Sequence, residues 1–224
     1  MNGKNMRIMV VDDHPLFLDG LLQVLQQSDK NLVPLQVSSA DAALEVLAEN
    51  PNFDLILVDI NMPGMDGIDL LTTLVEREIW VPAVVISAQD NPRSIIQALD
   101  AGALGFIPKS FNANQLLGAL KQIFQGEVFL PENIAKQIEQ LRRAENGKRQ
   151  HTRNGEDYGI TPRQHRVLQL LVKGYSNRTI ATTLNLSEHT VKSHLKSIFA
   201  NLGTTNRTEC VQKAEQLGLV PPQN

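Results

Sequence analysis

The segment LILVDINMPGMDG (residues 55–67) places four apolar residues directly before an acid, Asp59. A continuous apolar run of this length is typical of a strand that is buried on both faces. A proline and two glycines follow within eight positions, and they indicate a loop after the acid. This buried strand therefore ends on a carboxylate, and the role of Asp59 depends on which other residues meet it.

Short apolar runs alternate with amphipathic segments throughout the first part of the chain. The apolar runs predict strands at 6–11, 32–37, 55–58, 83–87 and 105–108. The amphipathic segments predict helices at 15–27, 40–49, about 67–77, 92–101 and 112–125. This alternation indicates right-handed crossovers and a parallel sheet with both faces covered. Ligands of such sheets bind beyond the carboxyl ends of the strands, which is where Asp59 is expected.

Acids, a hydroxyl and a lysine are found at four of the five predicted strand ends. In chain order these residues are Asp12, Asp13, Asp59, Ser87 and Lys109. Three neighbouring carboxylates raise one another's pKa unless a cation offsets them, and a hard divalent ion such as Mg²⁺ prefers oxygen ligands. With a lysine and a hydroxyl beside it, the cluster fits a carboxylate nucleophile that accepts a phosphoryl group.

Each of these residues alone has a simpler explanation. An aspartate after a strand is most often a turn former or a helix N-cap, and Asp66 is expected to be one. Lys109 alone would be a surface lysine, and Ser87 alone a loop hydroxyl. Their joint occurrence, in this order along the sheet, favours the functional interpretation.

The composition predicts a globular protein of the cytoplasm. Apolar residues make up 42% of the 224 residues and charged residues 20%. No run approaches the roughly 18 apolar residues of a membrane span, and the N-terminus lacks the pattern of a signal peptide. We therefore expect no membrane partner. Cys210 is the single cysteine, which excludes a disulfide framework, and it is expected to be a small core residue.

The distribution of charge predicts three parts. An acidic part, 1–126, has 7 Lys+Arg against 15 Asp+Glu, and a basic part, 159–224, has 8 against 3. Residues 127–158 begin with a helical pattern and then become charged and poor in apolar residues, which predicts a helix followed by a flexible linker. The positive balance of the last part suggests a polyanion as its partner, although it is also ordinary for a solvated surface.

The basic part contains only helical segments. TPRQ (161–164) predicts a capping box with proline at the first helical position, and Gly174 suits the left-handed end of that helix. Ser176 and Ser187 are predicted N-caps of a short second helix and a longer third one, and Asn206 of a fourth. The short helix, three-residue turn and longer helix form a helix-turn-helix.

The third of these helices has two different faces. Its buried stripe is predicted to consist of Val191, Leu195, Ile198 and Leu202. The opposite face holds His189, Lys192, Ser193 and Lys196. Two cations with short polar neighbours suit a DNA major groove, whereas the alternative is the solvated face of a helical bundle. The positive charge and the helix-turn-helix pattern favour DNA.

Residues 1–126 resemble the receiver domain of bacterial two-component response regulators. The resemblance rests on four motifs in the same order: VVDDHPLF, LVDINMPGMDG, VVISAQD and GALGFIPKS. It implies a flavodoxin-like (βα)5 fold with a parallel five-stranded sheet. It also implies that Asp59 accepts a phosphoryl group from a sensor histidine kinase.

The same resemblance implies roles for the residues around Asp59. The implied Mg²⁺ ligands are Asp12, Asp13, Asp59 and the backbone carbonyl of Asn61. Ser87 and Lys109 are expected to contact the phosphoryl oxygens. Phe106 matches the aromatic switch position, and its ring is expected to swing inward as Ser87 moves toward the phosphate.

Residues 176–202 (SNRTIATTLNLSEHTVKSHLKSIFANL) resemble the LuxR-type DNA-binding domain, an all-α four-helix unit, and the whole chain is similar to the NarL/FixJ family. The implied DNA contacts are Lys192, Ser193 and Lys196 at the groove, with Thr190 and Asn177 near the backbone. The helix from Asn206 is the implied dimer contact. The resemblance thus implies a transcription regulator that is not an enzyme, whose phosphorylation controls homodimerisation and sequence-specific DNA binding, with RNA polymerase as a further partner.

Two alternatives stay open on the sequence. A phosphatase of the haloacid-dehalogenase type also uses an aspartate at a strand end, but it needs a second acid two residues later, where this chain has Asn61. No cap insertion is visible either. The other alternative is a DNA-binding protein whose receiver fold works without phosphorylation, through dimerisation or ligand binding.

Overall fold

A computed structural model describes residues 5–125, 128–149, 158–184, 186 and 188–221, without the side chains of 143–149, 189 and 193. The first part alternates strands and helices as predicted. The strands are β1 Met6–Val11, β2 Leu32–Val37, β3 Leu55–Asp59, β4 Ala83–Ser87 and β5 Phe106–Pro108. The helices are α1 Pro15–Ser28, α2 Ala40–Glu49, α3 Gly67–Glu76, α4 Pro92–Asp100 and α5 Ala113–Phe124. All bounds agree with the sequence prediction within one residue.

The five strands form one parallel sheet in the order β2-β1-β3-β4-β5. The order in which strands are added to the sheet reverses after β2, because β3 pairs with β1 on the side opposite to β2. Ligands of open α/β sheets bind at such a reversal. Val11 of β1 is paired with Val58 of β3, so the residues that follow them lie side by side at the carboxyl edge. The predicted flavodoxin-like fold is confirmed.

Two apolar layers cover the two faces of this sheet. One layer packs α2, α3 and α4 against residues such as Met9 and Ile56, and the other packs α1 and α5 against residues such as Ile8 and Leu57. Side chains alternate between the layers because successive strand residues point to opposite faces. The apolar runs of the sequence therefore supply both layers at once, as expected for strands with no exposed face.

A sixth helix, α6 Glu132–Arg149, also packs against the first part of the chain. Its Ile134 and Ile138 are buried in the layer that contains α4, and Arg142 Nη2 lies 2.8 Å from Asp100 Oδ1 at the end of α4. The helix reaches well into the charged stretch of the sequence. The predicted linker that follows it lies mostly outside the described residues.

The second part consists of α7 Pro162–Val172, α8 Asn177–Thr183, α9 Glu188–Leu202 and α10 Arg207–Gln216. Thr161 forms the predicted capping box, Ser176 and Asn206 cap their helices, and Gly174 has a φ of 81°. The predicted cap Ser187 lies outside the described residues. The predicted apolar stripe of α9 is buried, and Cys210 packs in the same core. None of the helices in the described ranges combines the length and hydropathy that a bilayer span requires.

Candidate phosphoacceptor site and DNA-binding surface

The carboxyl edge of the sheet gathers the predicted site residues. Asp12 follows β1, Asp59 ends β3, Ser87 ends β4 and Lys109 follows β5. Asp12, Asp59 and Ser87 are almost completely buried. The backbone of Lys109 is held in place because its N–H donates to the carbonyl of Ser87 at 2.8 Å. Sheet geometry thus brings together side chains that are up to 97 positions apart in the sequence.

The loop after β3 returns directly to the sheet. Gly67 begins α3 against the end of β3, where a Cβ atom would lie 2.1 Å from the backbone oxygen of Asp59. Only glycine fits this close approach. Asp66 is the N-cap of α3 and accepts hydrogen bonds from Ile68 N and Asp69 N at 2.8 Å, which confirms the structural role expected for it. The MDG motif therefore fixes the backbone that presents Asp59.

Lys109 links two carboxylates at the centre of the site. Its Nζ atom lies 2.7 Å from Asp12 Oδ2 and 2.8 Å from Asp59 Oδ2. Burial raises the pKa of Asp59, and the hydrogen bond and charge of Lys109 oppose this rise only in part. Burial also acts to lower the pKa of Lys109, but Asp12 and Asp59 outweigh it and raise that pKa. The lysine is therefore a fixed positive charge.

Two carboxylate oxygens of the cluster are available for a cation. Asp12 Oδ2 and Asp13 Oδ1 are buried and receive no aligned hydrogen bond, although Lys109 Nζ and His14 Nδ1 lie 2.7 and 2.9 Å away. Potential ligand atoms within 4.8 Å of one another come from Asp12, Asp13, His14 and Asp59. Carboxylate oxygens are the ligands that Mg²⁺ takes, so these residues fit that ion. His14 was not predicted, and its position beside the two acids was the only signal for it.

Asn61 and Ser87 close the site on its other side. Asn61 N donates to Asp59 Oδ1 at 3.3 Å, and Asn61 Nδ2 donates to Ser87 Oγ at 3.4 Å. Ser87 Oγ also accepts from Gln89 N at 3.1 Å. The hydroxyl of Ser87 is thus held within reach of the loop that follows β3. Metal binding by the carbonyl of Asn61 stays a prediction.

The side chain of Phe106 is completely buried in the apolar layer that also contains Ile134 and Ile138 of α6. Its backbone N–H donates to Phe129 O at 2.9 Å, which joins the segment beyond α5 to β5. A switching role for Phe106 stays a prediction.

The predicted DNA-binding residues differ in how exposed their side chains are. Lys192 and Lys196 are exposed on α9, and Asn177 is half-buried. Thr190 is only 5% exposed, because it lines a cleft between the second part and the start of β3. The side chains of two further predicted residues lie outside the described part of the chain: His189 and Ser193.

The two parts of the chain meet at Arg163, a residue not singled out from the sequence. Its side chain is 2% exposed, with Nη1 donating to Val81 O at 2.8 Å and Nη2 to Ile79 O at 3.4 Å. Trp80, between these carbonyls, packs against the core of the helical part. Gly102 has a φ of 102°, and a Cβ atom there would lie 2.9 Å from Arg163 Cδ. The end of α4 therefore leaves room for the arginine.

One side of α9 faces the first part of the chain. His194 is 5% exposed and lies at a small space lined also by Leu99, Gly102 and Leu104. Burial and the charge of Arg163 lower the pKa of His194 to about 4, so it is neutral at pH 7. Burial likewise lowers the pKa of Arg163 to about 10, which leaves it charged. The contact thus holds one buried cation beside a neutral imidazole.

Comparison with known proteins identifies related families for both parts. The family described as "Response regulator receiver domain" matches residues 8–121, and "Bacterial regulatory proteins, luxR family" matches residues 159–214. The glycerol metabolism activator of Pseudomonas putida is 33% identical, over 93% of this chain and 94% of its own. The nitrate/nitrite response regulator protein NarL of Escherichia coli (strain K12) is 32% identical over the same shares.

Solved structures show the same similarity. RcsB from Salmonella enterica serovar Typhimurium, bound to a promoter in the presence of phosphomimetic BeF3⁻, has a TM-score of 0.57 and 25% identity, over 94% of this chain and 98% of that one. The receiver domain of the response regulator NarL from Mycobacterium tuberculosis has a TM-score of 0.51 and 32% identity, over 55% of this chain and 99% of that one.

If Asp12 and Asp13 hold a divalent cation, Mg²⁺ stabilises the folded chain. At ten times its dissociation constant, the ion is expected to add about 1.4 kcal/mol to the free energy of unfolding. Asp13→Asn should lose most of this gain, because it removes one ligand charge. Glu45→Gln, which removes an exposed charge on α2, should keep it. Thermal unfolding with and without MgCl2 measures the effect, and equal stabilisation of both variants would contradict the site.

Proposed function

This chain is a member of the response regulator family that combines a receiver domain with a LuxR-type helix-turn-helix domain, and from that premise we propose that phosphorylation of Asp59 controls its binding to DNA. Members of this family are transcription regulators and not enzymes. The phosphatase alternative is therefore excluded, in agreement with an amide, Asn61, at the position where that class needs its second acid.

The observation that supports Asp59 as the acceptor is its contact with Lys109 at the carboxyl edge of the sheet, 2.8 Å from Nζ to Oδ2. A carboxylate oxygen of Asp59 attacks phosphorus, the P–N bond of a phosphohistidine breaks, and the departing imidazole nitrogen keeps the electron pair. Lys109 offsets the charge of the phosphoryl oxygens, and the hydroxyl of Ser87 donates to one of them. The donor is a sensor histidine kinase.

Mg²⁺ is the proposed cofactor of this step. Asp12, Asp13, Asp59 and the carbonyl of Asn61 would hold the ion, which supplies neutralisation of negative charge when bound. The support for this is the pair of buried carboxylate oxygens without aligned hydrogen bonds. The remaining contributions come from the chain itself: β3 fixes the nucleophile, and burial excludes water from it.

The contact between the two parts represents the unphosphorylated arrangement in this proposal. The side of α9 that holds Thr190 and His194 packs against the receiver, whereas Lys192 and Lys196 are exposed on a different side. In this proposal the packing restrains the helical domain and so limits dimeric binding to paired half-sites. Phosphorylation would therefore promote DNA binding by weakening the contact at Arg163, a rigid-body release of one domain from another.

The released helical domain would place Lys192, Ser193 and Lys196 at the major groove, with His189, Thr190 and Asn177 close by. The helix α10 would form a homodimer, which suits paired half-sites. RcsB has been solved as dimers bound to DNA, which supports this assembly for a relative of 25% identity. Regulation of transcription implies RNA polymerase as a partner and the cytoplasm as the location.

The role of Asp59 is tested with a small phosphodonor and Mg²⁺. We expect phosphoramidate to add one phosphoryl group to the full-length chain. An Asp59→Asn variant should receive none, because the amide is not a nucleophile. Intact-mass spectrometry detects the adduct, and DNA affinity is measured on the same samples. If the wild type is labelled and its DNA affinity does not change, the receiver works without phosphorylation. Labelling of the variant would place the acceptor elsewhere.

The two exposed lysines of α9 are tested together. Lys192→Ala with Lys196→Ala should abolish specific DNA binding and reduce the slope of log affinity against log salt by about 2, because two phosphate contacts are lost. A control with Lys121→Ala and Lys136→Ala removes the same charge from exposed positions on α5 and α6. Fluorescence anisotropy over a range of salt concentrations measures both. Unchanged binding of the first variant would exclude this face of α9.

The closed contact is tested at Arg163. Arg163→Met removes both hydrogen bonds to the receiver and should raise the DNA affinity of the unphosphorylated protein at least tenfold, since the shorter bond alone, from a charged group, contributes about 1.5–3 kcal/mol. Arg166→Met is the comparison variant, because its exposed guanidinium crosses the same contact only in a long ion pair, 3.8 Å from Glu78, and should change the DNA affinity by less than about twofold. The radius of gyration from small-angle scattering should increase only for the first variant. A compact Arg163→Met with unchanged DNA affinity would contradict the proposal.

A further inference from the structure

The ammonium group of Lys109 has a third neighbour besides the two carboxylates. The ring of Phe17, in the first turn of α1, lies with its centroid 4.7 Å from Lys109 Nζ. Cations within about 6 Å of a ring centroid are attracted by the negative face of the ring. The side chain of Lys109 is 11% exposed, so little water competes for this contact. The lysine is therefore held by two charges and one uncharged face.

Phe17 is fixed from behind by the core of the receiver. The neighbouring residues Leu18 and Leu21 are buried, and Phe17 packs against the same apolar layer. The exposed side of the ring borders a groove between α1 and α5 that is otherwise apolar, and Lys109 is its charged member among the lining residues. The ring thus separates the ammonium group from the solvent in this groove.

Transfer of a phosphoryl group changes the other two neighbours of Lys109. An acyl phosphate on Asp59 removes the carboxylate charge and places negative charge farther out, on the phosphoryl oxygens. The lysine must then exchange Asp59 Oδ2 for one of those oxygens. During this exchange the attraction to Phe17 does not change, because the ring takes no part in the chemistry. Phe17 can therefore contact Lys109 both before and after the transfer.

We propose that Phe17 is a positioning residue for phosphoryl transfer, whose ring holds the ammonium group of Lys109 in place while its carboxylate partners change. This inference rests on the proposed phosphorylation of Asp59. The role depends on the aromatic ring of Phe17. Leu is similar in hydrophobicity but has no π face, so it would not reproduce this role.

The test compares full-length Phe17→Leu, Phe17→Met and Phe17→Tyr with the wild type. Both aliphatic variants should acquire the phosphoryl group from phosphoramidate about three- to tenfold more slowly, whereas Tyr, which keeps the ring, should stay within about twofold. Leu16→Ala is the control, because Leu16 is 89% exposed on the same turn of α1. Thermal unfolding identifies any variant that does not fold, and the second aliphatic variant then decides.

A second measurement separates positioning from packing. The labelling rate of each variant is measured over a range of phosphoramidate concentrations. A ring that holds the ammonium group acts during the transfer, so its loss should lower the maximal rate and leave the half-saturating concentration within about twofold. We expect a lower maximal rate in Leu and Met and a wild-type value in Tyr.

Equal maximal labelling rates in the wild type and the aliphatic variants would overturn the positioning role. A Tyr variant as slow as the aliphatic ones would also overturn it, because the ring would then not be the determinant. Either result would leave phosphorylation of Asp59 intact, since the wild type would still be labelled. Absence of labelling in the wild type would instead overturn the proposed function.

Discussion

The contact of one lysine with two buried carboxylates is the constraint on which the site depends. Lys109 joins Asp12 and Asp59 across β1, β3 and β5, and a carboxylate at that depth would be costly to ionise without a nearby cation. A buried ion pair is weak evidence for stability, since desolvation offsets most of its attraction. Burial keeps the pKa of Asp59 raised even beside the lysine. In the proposed function Asp59 is the nucleophile, and any further positive charge beside it would stabilise its ionised form.

The sequence was sufficient to predict the elements and the position of the site. Strand bounds agree within one residue because short, continuous apolar runs between turn residues are typical of buried strands. Helix caps such as Thr161 and Asp66 are local signals in the sequence. The convergence of Asp12 and Lys109 followed from parallel topology alone. These predictions succeeded because each depends on a short segment or on one general rule of sheet geometry.

The contact between the domains could not be predicted in the same way. Arg163 and Val81 are 82 positions apart, and nothing in the TPRQ motif distinguishes a solvated arginine from a buried one. Thr190 was expected near the DNA backbone from the family resemblance, but its side chain lines the cleft beside the receiver. The burial of Phe106 depends on packing with α6, which lies beyond α5. Each difference arises from tertiary contacts that have no local signature.

Two rigid elements connect the phosphoacceptor edge with this contact. The strand β4 ends on Ser87 at the site, and Val81, two residues before the strand begins, accepts the hydrogen bond of Arg163. The helix α4 follows the loop after Ser87 and ends at Asp100, two residues before Gly102, which lies against the stem of the same arginine. Close-packed elements shift as units rather than bend, so a change at Ser87 would alter the contact through alternative packings. Moving such an equilibrium from 1:99 to 99:1 requires about 5.5 kcal/mol. Arg163 has no carboxylate partner within the described residues, so in the proposed mechanism this contact lacks the ion pair that would make it harder for a single phosphoryl group to displace.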